Sequence, residues 1–383
     1  MTIGIDARFF GPKAKGLGRY TQKLLEELAK TDKQNDYLVF LRAEDFNEYQ
    51  PPNPRFKKVL ADYKWYSLAE QLLFPLALYR HKIDLMHFAN FNAPIFYWRP
   101  YIVTIHDLIL RRFGTSRGWF WGRLRYGVKN LGYEAAIRII VRRAKKIIAV
   151  SEYVKKDIIN SFGVAPAKIA VIYESGPGTA SQPSGASDNS VLAKYQIKKP
   201  YFLYVGNAYP HKNLERLIET FKILQGKNRP DLQLVLVGGE DYFYRRLKQK
   251  NCDKAGVCFG GGVVFAGFVP DDELAVLYSK AEVYIFPSLC EGFGLPPLEA
   301  MSHGLPVVSS GATCLPEVLG EAAHYFDATN PQNMADKISE VLENSVLRQQ
   351  LIERGFEQIK KYSWQKMAEE TEKMYASIDK SNA

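Results

Sequence analysis

The sequence predicts an α/β protein with two Rossmann-like domains, each built on a parallel sheet. Short apolar runs alternate with amphipathic helical stretches along the 383 residues, which is the pattern of doubly wound parallel sheets. The alternation stops once, at 174–190, where Gly, Ser and Pro dominate, and then restarts. Because ligands bind beyond the carboxyl ends of the strands in open α/β sheets, we expect the two sheets to face each other across a binding cleft.

The first half of the chain contains four predicted strands and two clear helices. One helix carries Leu24, Leu25 and Leu28 on a single face. The other has Ser151 as its N-cap and Gly163 as its C-terminal stop. The predicted strands are TIGIDA, YLVFL, YIVTI and KKIIAV.

The second half repeats the alternation with five further strands. We place the first domain at 1–180, a linker at 181–198 and the second domain at 199–363. A final helix, at about 364–383 and capped by Ser363, is expected to pack back onto the first domain. The strands of the second domain are YFLYVG, LQLVLVGG, VVFAGFV, VYIFPS and LPVVSS.

Positive charge is concentrated in the first half. Residues 1–198 hold 31 Lys and Arg against 17 Asp and Glu, whereas the remaining residues hold 20 against 24. This asymmetry predicts an anionic partner for the first half, and it leaves nucleic acid, a membrane surface and a phosphorylated substrate open.

The cysteines and the N-terminal residues indicate a cytoplasmic protein. No cysteine pair has CxxC spacing, so we expect neither a zinc site nor a disulfide framework but four reduced thiols. The opening MTIGIDARFF lacks the pattern of a signal peptide, and no apolar run reaches the length of a membrane span. The cysteines are Cys252, Cys258, Cys290 and Cys314.

The segment EGFGLPPLE predicts a ligand loop between a strand and a short helix. Gly292 and Gly294 allow the backbone to approach a ligand, and the N–H groups at the helix start suit an anion. Glu299 follows about one turn later, where a carboxylate can accept two vicinal hydroxyls such as those of a ribose. Together with Glu291 this loop predicts a nucleotide-sugar site. The alternative for either glutamate is a solvated acid favoured by the helix dipole.

Three other loops carry weaker evidence of ligand binding. Gly16 and Gly18 precede Arg19 in a turn that resembles a phosphate-approach turn, but GxGxxG spacing is absent, so a dinucleotide site is not predicted. His106 ends a predicted strand, and Lys212 precedes a helix in the second domain and could hold a diphosphate. The alternatives are a structural histidine and a surface lysine.

Seven motifs in the same order resemble one enzyme family over nearly the whole chain. The E-x7-E pattern of Glu291 and Glu299 resembles the retaining GT-B glycosyltransferases, which include phosphatidylinositol mannosyltransferases and many bacterial polysaccharide glycosyltransferases. The HKNL variant looks most like the mannosyl- and rhamnosyltransferases of O-antigen and exopolysaccharide assembly. The motifs are IDARFF with GLGRY, TIHDL, AVSEYVKKDI, YVGN with HKNL, EGFGLPPLEAMSHGLPVVSS, LPEV and the final YSW helix.

This resemblance implies a role for each matching residue. The catalytic residues would be Glu291 near the reacting face of the donor sugar, His106 touching that sugar, and Lys212 neutralising the diphosphate. Glu299 would bind the ribose. The remaining donor contacts would come from the first-domain turn, the loop that precedes Lys212, the AGFVP loop at the base and the backbone of the glycine-rich loop: Gly16, Gly18, Arg19, Asn207, Gly267, Phe268, Gly292, Phe293, Gly294 and Leu295.

One position departs from the family pattern. The arginine of the R-x4-K motif that ends in Lys212 is replaced by Asn207, which leaves the second phosphate cation unassigned. Arg19 and Arg8 are the candidates to replace it.

The resemblance also implies the reaction. A nucleoside diphosphate leaving group needs charge neutralisation more than protonation, and Lys212 with backbone dipoles can supply it. No DxD motif is present, so we expect neither a metal nor another cofactor. GDP-mannose is the first choice of donor and a UDP-hexose the alternative. A sugar-nucleotide epimerase or a phosphorylase with the same fold would be distinguished by nucleoside diphosphate release with and without acceptor.

The segment 111–146 predicts a contact with an anionic membrane. It holds eleven Lys and Arg and one acid, with Trp119, Phe120 and Trp121 among them. Basic residues attract anionic lipid, and tryptophan favours the membrane interface. We therefore expect a peripheral protein on the inner face of the cytoplasmic membrane, with a lipid-linked acceptor. A solvated basic face over core aromatics is the alternative. Single-stranded nucleic acid is not expected, since no such motif is present and the second half is acidic.

Overall fold

The computed structural model describes residues 1–11, 14–113, 132, 134–176, 188–226, 231–252, 258 and 262–379. The chain forms two compact units. The first comprises Met1–Glu174 and Ser363–Ala383, and the second comprises Ser175–Tyr362. Each unit contains one parallel sheet flanked by helices, so the predicted α/β class with two Rossmann-like domains is confirmed.

The first unit has a seven-stranded sheet in the order β3-β2-β1-β4-β5-β6-β7. The strand order reverses between β1 and β4, which pair with each other in parallel. Ligand loops in such sheets follow the strands on either side of this reversal. The strands are β1 Thr2–Asp6, β2 Asp36–Leu41, β3 Phe56–Leu60, β4 Leu85–Phe88, β5 Tyr101–Ile105, β6 Lys146–Ala149 and β7 Ile169–Val171.

The second unit has a six-stranded sheet in the order β10-β9-β8-β11-β12-β13. Here the order reverses between β8 and β11, again a parallel pair. The loops that follow these two strands carry Lys212 and Glu291. The strands are β8 Tyr201–Val205, β9 Gln233–Val237, β10 Val263–Gly267, β11 Val283–Phe286, β12 Val307–Ser310 and β13 Ala323–Phe326.

Most helices connect consecutive strands, as expected for parallel sheets. In chain order they are α1 Lys15–Thr31, α2 Ala43–Phe46, α3 Leu68–Tyr79, α4 Ile109–Arg112, α5 134–143, α6 Glu152–Phe162, α7 Asp188–Lys194, α8 Leu214–Gly226, α9 Tyr242–Asn251, α10 Asp271–Lys280, α11 Leu295–Ser302, α12 Leu315–Leu319, α13 Pro331–Glu343, α14 Ser345–Ile359 and α15 Trp364–Asp379. Short 3₁₀ turns occupy Pro166–Lys168, Pro210–Lys212 and Gly320–Ala322.

The helix ends follow the local sequence. Ser151 caps α6 by accepting a hydrogen bond from Val154 N at 3.2 Å, and Gly163 ends the helix with φ of 64°. Both assignments agree with the sequence prediction. Helix α7 lies within the range 181–198 that we predicted to be a linker, and its Val191 and Leu192 are buried.

The last helix, α15, packs against α1 in the core of the first unit. Met367, Ala368 and Tyr375 of α15 are buried in one cluster with Leu24 and Leu28 of α1. Burying these side chains stabilises the fold by about 2 kcal/mol for each large apolar group. The first unit is therefore completed by a segment that is remote in sequence.

The thiol prediction is wrong for one cysteine pair. A disulfide joins Cys252 to Cys258, whereas Cys290 and Cys314 are buried and not disulfide-bonded. The absence of CxxC spacing misled the sequence argument, because a longer loop can also fold back and bring two cysteines within bonding distance.

Within the described part of the chain, none of the helices combines the length and the apolar character that a membrane crossing requires.

Candidate functional site

The glycine-rich loop between β11 and α11 has a conformation that requires glycine. Gly294 has φ of 100°, in the left-handed region, and lies immediately before Leu295, the first residue of α11. A Cβ atom at this position would also lie 2.9 Å from Leu315 Cδ2. Conformation and space therefore both restrict the residue at this position.

The start of α11 has fewer N–H donors than we predicted. Pro296 and Pro297 occupy its first turn, and proline carries no N–H group. The backbone donors of this segment are therefore limited to the residues from Gly292 to Leu295, which are the four that the family resemblance implicates.

Lys212 and Glu291 form an ion pair at the carboxyl ends of β8 and β11. Lys212 Nζ lies 2.6 Å from Glu291 Oε1, and both side chains are largely buried. The two loops are also joined through the backbone, since Leu289 N donates to His211 O at 2.7 Å. The sequence motifs predict both residues for the site but not their direct contact.

Asn213 fixes the loop that carries Lys212. It adopts φ of 61°, a left-handed conformation that asparagine tolerates better than most residues. Its Nδ2 donates to Pro287 O at 3.1 Å and to Ala328 O at 2.7 Å. In the sequence Asn213 is only one residue of the HKNL motif, so its role in holding the loop was not predicted.

Glu299 is buried against a tyrosine. Tyr278 OH donates to Glu299 Oε2 at 3.2 Å, and the Tyr278 ring stacks on His303 at 5.2 Å. Glu291 and Glu299 are each only 8% exposed, which excludes the alternative that they are solvated helix-start acids. A buried carboxylate needs polar partners, so both residues are placed for specific contacts.

Asn207 lies in the loop after β8, where it forms hydrogen bonds within the loop. Its Oδ1 accepts from Tyr209 N at 3.2 Å and its carbonyl accepts from Tyr204 OH at 2.8 Å. Asn207 therefore stabilises a local turn rather than replacing the charge of the expected arginine. Strand β10 ends at Gly267, which has φ of 72° and is followed by the exposed Phe268.

In the first unit the two glycines of the GLGRY motif lie in a helix. Helix α1 begins at Lys15, so the predicted turn at Gly16 and Gly18 is wrong. Gly18 is required for close packing, because an added Cβ would overlap the carbonyl oxygen of Gly11. Arg19 follows on the same helix and is half-buried.

Arg8, one of the two candidates for the second phosphate cation, is neutralised within the first unit. Its guanidinium bonds Asp6 Oδ2 at 2.7 Å and Glu70 Oε1 at 2.9 Å, and the side chain is fully buried. It also lies 4.0 Å from the centre of the Phe74 ring. Arg8 therefore supports the fold, and Arg19 remains the candidate.

His106 directly follows β5 and is bound through both ring nitrogens. Nδ1 lies 2.6 Å from Glu174 Oε1 and Nε2 lies 2.9 Å from Ala89 O. Both partners are acceptors, so the ring is held with a proton on each nitrogen. Burial alone would lower the pKa of His106, but Glu174 and the Ala89 carbonyl raise it above its ordinary value. Sequence reasoning missed Glu174.

A second histidine in the first unit has the opposite electrostatics. His87 Nδ1 bonds Tyr375 OH at 2.6 Å, and Nε2 bonds Thr104 Oγ1 at 2.8 Å. Thr104 in turn bonds Tyr20 OH at 3.1 Å. Burial, helped by the charge of His106, lowers the pKa of His87 to about 3, so the ring is neutral.

The residues predicted for the site come from both units. Lys212, Glu291 and Glu299 belong to the second unit, whereas His106 and Arg19 belong to the first. Among the described residues, no group of three His, Cys, Asp or Glu side chains could hold a metal ion.

Most of the basic segment 111–146 lies outside the described residues, including Trp119, Phe120 and Trp121. Several described cations of this segment are bonded inside the first unit. Arg111 pairs with Glu134 at 2.7 Å and Arg112 with Asp157 at 2.7 Å. Part of its charge therefore has a structural role.

Comparisons with known proteins agree with this arrangement. The family model described as Glycosyltransferase Family 4 matches residues 14–174, and the model described as Glycosyl transferases group 1 matches residues 191–358. O-antigen chain mannosyltransferase B from Escherichia coli is 30% identical over 378 residues, which cover 94% of this chain and 95% of that protein.

Two solved structures show the same fold. Sucrose-phosphate synthase from Thermosynechococcus elongatus has a TM-score of 0.77 at 19% identity, with all of both chains covered. HepE from Anabaena, in complex with UDP-glucose, has a TM-score of 0.73 at 17% identity and covers 98% of this chain and 99% of its own. The chain therefore belongs to the GT-B glycosyltransferases that join a family 4 domain to a group 1 domain.

Proposed function

We propose that this glycosyltransferase moves mannose from GDP-mannose to a hydroxyl of a polysaccharide or lipid-linked acceptor, with retention of configuration. The observation that carries the proposal is the Lys212–Glu291 ion pair beside the glycine-rich loop, at the carboxyl ends of β8 and β11. A lysine, a set of backbone donors and two buried carboxylates suit a ligand that is both anionic and rich in hydroxyls. The mannosyltransferase relative favours mannose as the sugar.

In this proposal the diphosphate replaces Glu291 as the partner of Lys212. An ammonium group has three N–H donors, so Lys212 can bind phosphate oxygens while it turns away from Glu291. The released carboxylate then faces the donor sugar. Charge that develops on the leaving diphosphate is stabilised by Lys212 and by the backbone donors from Gly292 to Leu295, with Arg19 as a second cation and without a metal or other cofactor.

Glu299 binds the ribose hydroxyls in this proposal. Its Oε2 already accepts from Tyr278 OH, which holds the carboxylate in a fixed orientation. The exposed Phe268 and the backbone at Gly267 contact the base. His106 touches the donor sugar after its bond to Ala89 O is exchanged for a sugar hydroxyl, while Glu174 keeps the ring oriented.

The test is a thermal-shift panel of nucleoside diphosphates and nucleotide sugars, followed by a transfer assay. GDP and GDP-mannose should raise the midpoint of wild type, because a ligand that binds only the folded state stabilises it. Glu299→Ala should weaken GDP binding about tenfold, since it removes hydrogen bonds to a charged group. Glu353→Ala, an exposed glutamate of α14 in the same unit, serves as the matched control.

GDP release should require an acceptor. A larger shift with UDP and UDP-glucose would assign the donor to the UDP-hexoses. Consumption of the nucleotide sugar without acceptor would replace transfer by epimerisation, and unchanged GDP binding in Glu299→Ala would overturn the site.

We also propose that the protein lies in the cytoplasm, at the inner face of the membrane, with segment 111–146 in contact with anionic lipid. The support is its composition of eleven Lys and Arg with neighbouring tryptophans. No nucleic acid partner is proposed. A chain that fails to sediment with anionic vesicles would overturn this contact and leave the transfer reaction untouched.

A further inference from the structure

Helix α3 of the first unit exposes a row of leucines. Leu68, Leu72, Leu73 and Leu76 are between 51 and 80% exposed and lie on one side of the helix. The opposite side, which includes Phe74, is buried in the first unit. A helix with apolar residues all round is normally buried on every side, so the exposed row needs an explanation.

A neighbouring loop extends this apolar surface. Phe96 is 46% exposed and Trp98 is 71% exposed. The loop is held against α3, since Ile95 N donates to Gln71 Oε1 at 2.9 Å and Trp98 N donates to Tyr79 OH at 2.7 Å. We call these six exposed side chains the α3 face: Leu68, Leu72, Leu73, Leu76, Phe96 and Trp98.

The exposed charges in the stretch from Lys64 to Lys82 have one sign, and the exposed acids Asp62 and Asp84 lie just outside it. Between Lys64 and Lys82 the only acid is Glu70, which is fully buried and paired with Arg8. Lys64, Lys82 and Arg80 are exposed at the two ends of the helix. The guanidinium of Arg143 in α5 also lies 3.9 Å from the centre of the Trp98 ring. The apolar surface is thus bordered by cations.

We propose that the α3 face docks onto an anionic lipid bilayer, with the leucines in the interfacial region and Trp98 at the level of the headgroups. Apolar side chains bordered by basic residues, with an aromatic residue at the edge, match the chemistry of such an interface. Monomeric proteins rarely expose a contiguous apolar surface without a partner.

A second copy of the chain fits less well. A symmetric dimer through this face would bring the cations around α3 close to their own copies, and like charges repel. The proposed surface is distinct from segment 111–146 and consists entirely of described residues. The inference extends the proposed membrane contact to a second surface of the first unit, and it does not depend on the transfer chemistry.

The test is sedimentation of the full chain with vesicles, in the absence of donor. One set contains phosphatidylglycerol mixed with phosphatidylcholine, and the other contains phosphatidylcholine alone. The double variant Leu72→Gln/Leu76→Gln should reduce the bound fraction on anionic vesicles about fivefold, and Arg80→Gln/Lys82→Gln about threefold. Val346→Gln, at an exposed apolar position of α14, and Lys198→Gln/Lys199→Gln serve as matched controls and should bind like wild type.

Because the leucines are exposed, the double variant should keep the wild-type melting temperature and its transfer rate to a water-soluble acceptor. Trp119→Ser/Trp121→Ser measures the separate contribution of segment 111–146. If only that variant lowers binding, or if Leu72→Gln/Leu76→Gln binds like wild type, the inference is overturned. A concentration-dependent dimer that the leucine variant abolishes, with no vesicle binding, would assign the face to a second copy instead. If the wild type transfers the sugar but does not bind vesicles, membrane docking is refuted and the proposed transfer reaction is not.

Discussion

His106 in the first unit and Lys212 in the second both follow a strand of a parallel sheet, and each lies 2.6 Å from a glutamate oxygen. The two pairs differ in the other hydrogen bonds that the cationic side chain makes. His106 uses its second nitrogen on Ala89 O, so both of its donors are occupied. Lys212 has three donors on a flexible side chain, and in the proposed mechanism a ligand anion replaces its partner Glu291. In the proposed mechanism the His106–Glu174 pair stays intact while the second ring nitrogen exchanges Ala89 O for a sugar hydroxyl, whereas the Lys212–Glu291 pair itself opens.

Removing Lys212 tests the exchangeable pair and should have the largest effect. Lys212→Ala removes the charge that neutralises the diphosphate and leaves Glu291 buried without its cation. We expect turnover to fall by about 10²- to 10³-fold, the range seen when one transition-state donor is lost. Steady-state kinetics with a saturating donor measures this.

The matched control is Lys250→Ala, an exposed lysine of the same unit that pairs with Glu215. It should retain wild-type turnover. Equal turnover in Lys212→Ala and wild type would contradict the assignment of the diphosphate to this loop.

The second prediction concerns His87, which is fixed in the neutral form. Because its folded pKa of about 3 lies below the ordinary value, the unfolded chain binds more protons and stability must fall as the pH drops below about 6.5. Between pH 6.5 and pH 5 the contribution of this group to the free energy of unfolding should fall by about 2 kcal/mol.

Urea denaturation at a series of pH values measures this loss. In His87→Gln, where the new side chain can still bond Thr104 and Tyr375, the fall attributable to this group should disappear. A pH dependence identical to that of wild type would show that His87 does not carry it.

The third prediction concerns the His106–Glu174 pair and has the opposite sign. The pKa of His106 is raised in the folded state, so its contribution to stability is complete below about pH 6.5 and is lost as the pH rises through the raised value. Glu174→Gln keeps an acceptor but removes the charge. It should cost about 1 kcal/mol at pH 6 and less at pH 9.

The same denaturation series gives the comparison, with Glu152→Gln at a half-buried carboxylate of α6 as the control. A cost that is independent of pH would show that Glu174 acts through packing rather than through the charge of the imidazole.

Local sequence patterns predicted much of the fold. Apolar runs marked nine of the thirteen described strands because both faces of a parallel sheet are buried, whereas β3, β4, β7 and β13 were missed. Ser151 and Gly163 marked the ends of α6 because capping depends on neighbouring residues. The disulfide between Cys252 and Cys258 and the helical position of Gly16 were missed, since both depend on how the backbone folds back on itself.

The site was predicted less completely than the fold. Glu291 and Glu299 were found because they share one short motif. Glu174 and Tyr278 were not, because their contacts with His106 and Glu299 join segments from different strands and helices. The exposed row on α3 was also missed, since a sequence shows that a helix is apolar but not which of its sides the tertiary structure covers.

The position of α15 has a consequence for the order of folding during translation. The second unit is a continuous stretch of chain and can fold as soon as it leaves the ribosome, whereas the core around Leu24 and Leu28 stays incomplete until Met367 and Tyr375 have been synthesised. The unit that is made first is thus completed last. Until then the apolar side chains of α1 that α15 covers in the finished structure lack this cover.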